Sequence, residues 1–479
     1  MKDYTFVDDT NNIIDLLWGD KKPKYKTDKV MILSTEYTGA SVEEKLNIVS
    51  NKLKELIPKE KESFKKIRYL VSRLDDIAWI LNLRGSDIPY NPVFFSFGLL
   101  YSTENGNYFH LFSNKVKFDT PELIKYLDEN KIILHDYTDI YQVLSTPSSD
   151  TLTFIDKVST NSRLFTIAKE KQGEEMCIFI DEDHIENIKS IKNEVELKGY
   201  RAANLRDSVA LVKFFTWMEQ ELITKKRTDL NEYEIGLMNK KFREEQKFFM
   251  GESFAPICAA GPNAAIIHYE QNENLHSNMS IDQLILCDTG GQYLDGTTDI
   301  TRTVHYGKPK DKEKEFYTRV LLGNLSLERC IFKKASLSNL DAIARSFLLQ
   351  VAETYNHGTS HGVGHFLNVH EGPYGKPLFE GNVITNEPGY YEKDNFGIRI
   401  ENMMVVVRKT PEKLGFENIT LVPYERNLID LNLISPDMVK YIDDYHKKVW
   451  NTLSPLLEND KDALNYLKRK TKSLLEKDE

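Results

Sequence analysis

Cysteine is scarce in this sequence, and long apolar runs and an excess of positive charge are absent. The four cysteines, Cys177, Cys258, Cys287 and Cys330, lie far apart and form no CxxC pair, which argues against a disulfide framework or a zinc knuckle. No run of about 18 apolar residues occurs, so we expect no membrane-spanning helix. The net charge of −10 argues against a nucleic-acid-binding or membrane-surface protein, because polyanions attract basic patches.

The N-terminus also lacks a basic stretch followed by an apolar run, so no secretory signal is predicted. Scattered thiols without a pairing pattern are typical of proteins in a reducing compartment. The two observations together predict a cytoplasmic protein.

The length of 479 residues is too great for one ordinary core and predicts two domains. Strand-like and helix-like segments alternate in the first part, for example a helix at Val42 to Leu56 and a strand at Ile67 to Ser72. This alternation indicates an α/β domain. From Asn193 to Leu222 the sequence becomes long, charged and helical. We therefore predict a first domain of residues 1–187 and a second of residues 188–479.

Two aspartates lie at the junctions of strand-like and turn-like sequence. Asp288 follows the apolar run LILC, and Asp299 lies in TDITRTV, 11 residues later (299 − 288). Two strands joined by the intervening turn can bring these carboxylates together. A buried carboxylate without a partner is costly, so a cation is the natural partner for Asp288. Asp295 lies in the turn and is expected to be exposed.

Two other segments have an unusual density of charged or imidazole side chains. FGIRIENMMVVV predicts a buried strand on which Arg399 and Glu401 share one face, and alone this pair fits a structural ion pair. HGTSHGVGHFLNVHEGP contains His357, His361 and His370 and is poor helix material, so a loop or strand is expected. A lone histidine is usually structural, but three among glycines favour a site.

Two more segments complete the set: GPNAAIIHY contains His268, and ITNEPGYY contains Glu387. An oxygen-rich set of this kind suits a pair of divalent ions, with Mn²⁺ expected before Zn²⁺ and Co²⁺ as a further alternative. Two ions about 3.5–4 Å apart can share a bridging hydroxide and polarise a carbonyl. The residues therefore predict hydrolytic chemistry.

These five segments, in this order, resemble the metallopeptidase family of methionine aminopeptidase, prolidase and aminopeptidase P. The likeness is strongest to the aminopeptidase P branch, through DGTTDITRT, SHGVGHFLNVHEGP, NEPGYYE and FGIRIEN, and upstream through LDDIAWILNLRGSDIPYNPVFFSF. The resemblance implies an α/β (α+β) fold class, with a creatinase-like α/β N-terminal domain followed by a pita-bread catalytic domain. It also implies a short form that lacks the first of three domains.

The resemblance implies a metal set of one histidine and four carboxylates: Asp288, Asp299, His361, Glu387 and Glu401. In that set Asp288 binds one ion, Asp299 and Glu401 bridge both, and the other two residues complete the second ion's shell. Glu387 is also implied to transfer a proton between the nucleophile and the leaving group.

Five further side chains have implied roles around this set. His268 and His370 would bind the substrate carbonyl or the tetrahedral intermediate, as in an oxyanion hole. His357 would line the pocket for proline. Tyr391 and Arg399 would orient Asp288.

The implied activity is release of the N-terminal residue from peptides with proline in second position, by a homodimer. A prolidase, which cleaves only dipeptides ending in proline, is one alternative; a basic group that captures the free carboxylate would mark it, and none is identified. Methionine aminopeptidase lacks the large preceding domain, and creatinase lacks the metal set. A non-enzymatic binding protein on the same fold is a further alternative, although such relatives lose metal ligands and all five are present here.

Overall fold

The computed structural model describes residues 12–476, so the N-terminal segment on which the predicted absence of a secretory signal depends lies largely outside the described residues. Across the described part of the chain, no helix has both the length and the apolar character needed to cross a membrane. Residues 12–190 are called the N-terminal part below, and residues 193–476 the C-terminal part.

The N-terminal part alternates helices and strands. In chain order they are α1 (Ile13–Trp18), β1 (Met31–Ile32), α2 (Thr35–Thr38), α3 (Val42–Lys54), β2 (Lys66–Val71), α4 (Leu74–Ile80), β3 (Leu83–Arg84), β4 (Ser96–Thr103), β5 (Gly106–Ser113), α5 (Pro121–Glu129), β6 (Ile132–His135), α6 (Asp139–Ser145), β7 (Thr151–Asp156), α7 (Ser162–Gln172), β8 (Cys177–Ile180) and α8 (His184–Ser190). The predicted helix at Val42 to Leu56 and strand at Ile67 to Ser72 are confirmed as α3 and β2.

Six of these strands form one mixed sheet in the order β6-β5-β4-β2-β7-β8. The pairs β5–β6, β2–β7 and β7–β8 are parallel, and β2–β4 and β4–β5 are antiparallel. Apolar clusters cover both faces, since Tyr69 and Val71 belong to one cluster while Leu70 between them belongs to the other. Side chains alternate between the two faces of a strand, so β2 is buried on both sides.

The C-terminal part combines long helices with small antiparallel sheets. Its elements are α9 (Glu194–Glu219), α10 (Glu232–Glu244), β9 (Phe249–Glu252), β10 (Ile257–Ala260), β11 (Ile285–Thr289), β12 (Gly291–Tyr293), β13 (Gly296–Thr297), β14 (Ile300–Val304), α11 (Asp311–Glu328), β15 (Ile331–Phe332), α12 (Leu337–Leu349), β16 (Val383–Asn386), β17 (Gly389–Glu392), β18 (Phe396–Arg399), β19 (Asn402–Thr410), β20 (Lys413–Asn418), α13 (Pro436–Leu453) and α14 (Lys461–Lys470). The described sheets have the orders β10-β11-β14, β13-β12-β9, β15-β20-β19-β16 and β17-β18.

Helix α9 begins the C-terminal part and packs against its sheets. Asn193 caps its first turn in a capping box with Glu196, which satisfies N–H groups that the helix cannot pair internally. Val212, Phe215 and Met218 follow at helical spacing and are buried in the largest apolar cluster. The predicted long helix is therefore confirmed, and its apolar stripe forms a wall of the core behind β11 and β14.

Candidate functional site

Neighbouring antiparallel strands bring the two aspartates to one cavity. Asp288 is the fourth residue of β11, and Asp299 immediately precedes β14. In the register of this pair Asp288 lies opposite Thr301, two residues beyond Asp299. Alternate residues of an extended segment face the same side, so all three side chains face the cavity side of the sheet.

The two glutamates approach from other strands and are fixed by backbone hydrogen bonds. Glu387 follows β16, and its N–H donates to the carbonyl of Thr359 at 2.9 Å. Glu401 follows β18, and its N–H donates to the carbonyl of Thr301 at 3.1 Å. The Thr301 hydroxyl donates to Glu401 Oε2 at 2.7 Å. Both carboxylates are thus held where the aspartates converge.

His361 lies between the two pairs of carboxylates. Its N–H donates to the Thr385 hydroxyl at 3.1 Å, and its carbonyl accepts from the Thr385 N–H at 2.9 Å. The ring atom Nε2 is 3.4 Å from Asp299 Oδ2 and 3.3 Å from Glu387 Oε1. The predicted loop character of this segment is confirmed, since no helix or strand occurs between α12 and β16.

The cluster concentrates negative charge away from water. Burial raises the pKa of Asp299 to about 6, and the charges of Asp288 and Glu387 add to this rise. The hydrogen bond from His361 opposes it. Burial and the charges of Asp299, Glu387 and Asp288 also raise the pKa of Glu401 well above its ordinary range. Burial opposes protonation of His361, but its bonds to Asp299 and Glu387 outweigh burial and raise its pKa to about 10.

These residues fit a divalent metal. Asp288 Oδ1 is buried and has no hydrogen-bond partner among the described residues. One ligand atom from each of Asp299, His361 and Glu401 lies within 4.8 Å of the others. Carboxylate oxygens with one imidazole suit Mn²⁺ or Zn²⁺, and a cation would compensate the buried charge.

Arg399 pairs with an aspartate rather than with the neighbouring glutamate. It donates to Asp288 Oδ2 from Nε at 3.2 Å and from Nη2 at 2.7 Å, and from Nη1 to the Tyr391 hydroxyl at 2.7 Å. The same hydroxyl lies 2.9 Å from His357 Nε2. The structural Arg399–Glu401 pair that the strand pattern alone allowed is therefore not what the structure shows.

One cavity of about 530 Å³ collects nearly every predicted site residue. Lining it are His268, Asp288, Asp299, His357, His361, His370, Glu387, Arg399 and Glu401. Tyr391 is not part of the lining and contacts it through His357 and Arg399. The ring centroids of His361 and His370 are 4.3 Å apart, so His370 lies directly beside the carboxylate cluster.

Several lining residues escaped the sequence reasoning. Phe254, Ile257 and Tyr374 form apolar parts of the wall, and no motif marks them. Thr301, which binds Glu401, could have been found because it lies two residues beyond Asp299 in a strand-like segment.

The prediction that Asp295 is exposed is wrong. Its exposed fraction is 8%, and its carboxylate accepts a hydrogen bond from Arg206 on α9. The turn between β12 and β13 packs against that helix: a Cβ added to Gly199 would lie 2.1 Å from the Asp295 carbonyl. Asp295 is buried because its turn is covered, and its ion pair lies away from the cavity.

The sequence matches known families over most of its length. Residues 198–408 match the metallopeptidase family M24, residues 21–196 match the creatinase/prolidase N-terminal domain, and residues 412–474 match the C-terminal region of peptidase M24. The first two matches meet between residues 196 and 198, and the domain boundary at residues 187 and 188 stays a prediction.

Curated relatives and solved structures agree with these matches. The chain is 41% identical to a probable Xaa-Pro aminopeptidase P of Phaeosphaeria nodorum, over 98% of this chain and 73% of that protein. It is 40% identical to a second protein of that name from Coccidioides posadasii, over 97% of this chain and 77% of the relative. The X-prolyl aminopeptidase of Caenorhabditis elegans, described as a cytosolic enzyme with a di-nuclear active site, has a TM-score of 0.87 at 32% identity, covering 97% of this chain and 75% of that one.

The prolidase of Pyrococcus horikoshii shares the fold at a TM-score of 0.59 and 23% identity, covering 80% of this chain and 99% of that one. Fold and site together define a metal-dependent peptide hydrolase with a creatinase-type N-terminal domain and a pita-bread catalytic domain, as expected from the sequence. The chain belongs to metallopeptidase family M24.

Proposed function

We propose that this protein is a Xaa-Pro aminopeptidase, which releases the first residue of peptides with proline in second position. The observation that carries the proposal is the buried carboxylate cluster around His361 at the base of an open cavity. The relatives that are about 40% identical over nearly the whole chain are named Xaa-Pro aminopeptidase P, which supports the same activity.

The metal set that we propose is Asp288, Asp299, His361, Glu387 and Glu401, holding two divalent ions with Mn²⁺ expected first. The di-nuclear site described for the Caenorhabditis elegans enzyme supports the number of ions. When bound, the ions supply Lewis acidity that activates a water and polarises the scissile carbonyl. Arg399 holds Asp288 through two bonds and so fixes the orientation of that ligand.

The surrounding side chains provide proton transfer and oxyanion binding. Glu387 accepts the proton of the attacking water and delivers it to the proline nitrogen as the peptide bond breaks. His268 and His370, which line the cavity beside the cluster, donate hydrogen bonds to the carbonyl oxygen as negative charge develops on it. Each such donor binds the oxygen more strongly in the transition state than in the substrate, because the oxygen carries more negative charge there.

Selectivity for proline is explained by a site that needs no hydrogen-bond acceptor at the scissile nitrogen. A peptide bond to proline carries no N–H at the scissile nitrogen, so no acceptor is required there. We propose that His357, held by the Tyr391 hydroxyl at 2.9 Å, forms part of the wall against which the proline ring packs.

The cavity favours an aminopeptidase over a prolidase. Among the described residues that line it, Arg399 is the one arginine or lysine, and its hydrogen bonds go to Asp288 and Tyr391. A dipeptide substrate would present its carboxylate close to the scissile bond, where a free cationic side chain would be expected. We also propose a cytoplasmic location, in line with the cytosolic relative, and a homodimer, which light scattering of the purified protein tests.

Three peptides test the activity on one metal-stripped sample reconstituted with Mn²⁺. We expect Mn²⁺-dependent release of the first residue from a Xaa-Pro-Yaa tripeptide, with a Xaa-Pro dipeptide and a Met-Ala-Ser peptide cleaved far more slowly. Cleavage of the dipeptide alone would make the protein a prolidase, and preference for the methionyl peptide would make it a methionine aminopeptidase. Inactivity on all three peptides with metal bound would instead favour a binding protein.

A further inference from the structure

The loop that joins His361 to His370 carries two site residues, and strand β16 supports only its beginning, through the bonds between Thr385 and His361. Residues 361–371 are called the histidine loop here. Within it the backbone of Phe366 has φ of +46°, a left-handed conformation that is strained for a bulky residue. The two ends of the loop are joined by the bonds between Gly362 and Glu371, at 2.9 Å each. The middle of the loop, at residues 365–367, needs other support.

That support comes from the N-terminal part of the chain. Leu367 has an exposed fraction of 1% and belongs to the apolar cluster formed by α3, α4 and the sheet of the N-terminal part. Its side chain is therefore part of a core whose other buried members, Leu83 and Phe94 among them, belong to the N-terminal part. A residue buried in another part's core transmits the position of that core to its own loop.

The side chain of Arg84, the last residue of β3, binds the backbone of the loop at the same place. Its side chain is buried, and it donates from Nε to the Phe366 carbonyl at 2.5 Å and from Nη2 to the His365 carbonyl at 2.9 Å. Its remaining nitrogen, Nη1, donates to the carbonyls of Ala78 and Leu83, at 2.9 Å each. One guanidinium thus joins the N-terminal part to the strained centre of the histidine loop.

The C-terminal part holds the loop at other points. The Tyr200 hydroxyl donates to the Val363 carbonyl at 2.7 Å, and Gln292 Nε2 donates to the Leu367 carbonyl at 2.7 Å. Lys192, which links the two parts, forms a buried ion pair with Glu371. Of these described side-chain bonds to the loop, those to residues 365 and 366 come from Arg84 alone.

We propose that Arg84 is a positioning residue that sets the placement of His361 and His370 from outside the C-terminal part. Its fork-shaped guanidinium satisfies two successive carbonyls of a strained turn and two carbonyls of its own segment at once. A lysine at this position keeps the charge but has a single nitrogen, so it cannot bind both pairs. The roles of the two histidines come from the proposed function, and the inference rests on it to that extent.

The test compares Arg84→Lys with a matched control, Arg68→Lys. Arg68 is also buried in the N-terminal part, and its Nε donates to Thr153 at 2.8 Å with no bond to the histidine loop. Both variants remove a buried guanidinium, so both should lower the melting temperature. We expect only Arg84→Lys to weaken Mn²⁺ binding, by about 10–100-fold, as loss of an orienting group around a metal ligand does.

Two readouts separate positioning from general destabilisation. Mn²⁺ affinity is measured by competition with a chelating dye, well below the melting temperature of either variant. The same samples give kcat and KM on a Xaa-Pro-Yaa peptide, where we expect kcat to fall for Arg84→Lys and to stay within about twofold of wild type for Arg68→Lys. Equal Mn²⁺ affinity and equal kcat in the two variants would overturn the proposal.

A second pair keeps the inference testable if Arg84→Lys does not fold. Leu367→Ala removes the apolar anchor of the histidine loop, and Leu111→Ala removes a leucine of the same cluster that belongs to the sheet. We expect the first to weaken Mn²⁺ binding at least fivefold more than the second at a similar loss of stability. If the wild type binds Mn²⁺ but cleaves no Xaa-Pro peptide, the proposed function fails, while the affinities still decide the role of Arg84.

Discussion

Two buried carboxylates in the C-terminal part, Asp207 and Glu401, have opposite surroundings. Asp207, 0% exposed, accepts from Arg243 at 2.7 and 3.0 Å and from the Tyr293 hydroxyl at 2.8 Å. Glu401, 1% exposed, accepts from the Thr301 hydroxyl. Burial and three neighbouring carboxylates raise its pKa well above the ordinary range. Among the described residues, a cationic side chain pairs with the first acid and none pairs with the second.

The contrast separates a structural charge from a functional one. A buried acid paired with a guanidinium contributes to the fold only while the pair is intact, because an unpaired buried charge is costly. A buried acid without a protein cation is stable in its charged form only when something else supplies positive charge. We infer that the cluster around Glu401 was selected for a bound cation and not for the stability of the metal-free chain.

The largest expected effect is on activity, from Glu401→Gln. The substitution keeps the shape but removes a ligand charge, and we expect kcat to fall by about a thousandfold or more, a loss of about 4 kcal/mol in transition-state stabilisation. The metal-free variant should unfold at the same temperature as wild type or higher, because like-charge repulsion decreases. Peptide assays measure kcat, and thermal unfolding with chelator measures the melting temperature. A strongly lowered melting temperature would mean that the Glu401 carboxylate stabilises the metal-free protein, as Asp207 does.

Asp207→Asn is expected to lower the stability of the metal-free protein and to leave metal binding intact. Arg243 would lose its charged partner in a buried site, and the free energy of unfolding should fall by about 3–5 kcal/mol. Denaturant unfolding of the metal-free protein measures this. The folded fraction should still bind Mn²⁺ with wild-type stoichiometry, and loss of metal at full folding would show that the two clusters are not independent.

Metal removal should affect stability less than loss of the Asp207 partner. A ligand at 100 times its Kd stabilises the folded state by about 2.7 kcal/mol. We expect Mn²⁺ to raise the stability of the wild type by an amount of this order and that of Glu401→Gln by clearly less. An equal gain in stability with Mn²⁺ in both proteins would mean that the metal binds away from Glu401.

The smallest effect is expected from Arg399→Lys, which keeps the charge near Asp288 but loses the fork that binds it. We expect metal affinity or kcat to fall by about 10–100-fold. Tyr391→Phe, which removes one bond to the same guanidinium, serves as the milder comparison. Unchanged affinity and kcat in Arg399→Lys would mean that Asp288 needs no orienting group.

Much of the fold and site could be predicted because the signals are local. Strand β2 and helices α3 and α9 follow from the apolar periodicity of short segments. The residues expected around the cavity come from motifs whose members lie within about a dozen positions of one another, together with a family resemblance. Family membership and the two-part fold followed from the same motifs.

The parts that could not be predicted depend on distant partners. Asp295 is buried because helix α9 packs against its turn, and its partner Arg206 on that helix lies 89 residues earlier. Arg84 binds carbonyls 281 and 282 residues away, and a backbone carbonyl leaves no mark in the sequence. Arg399 lies two residues from Glu401 and pairs with Asp288, 111 residues before it, a pairing that the family resemblance implied and the strand pattern did not. Patterns that repeat along a helix or strand say nothing of such contacts.

The most direct test is the number of Mn²⁺ ions bound per chain, measured by equilibrium dialysis and elemental analysis of the wild type and of Glu401→Gln at equal protein concentration. We expect two ions in the wild type and at least one fewer in the variant, because Glu401 is one of the proposed metal ligands and has no cationic partner among the described residues. No bound metal in the wild type, or the same number in both proteins, would contradict this interpretation of the cluster.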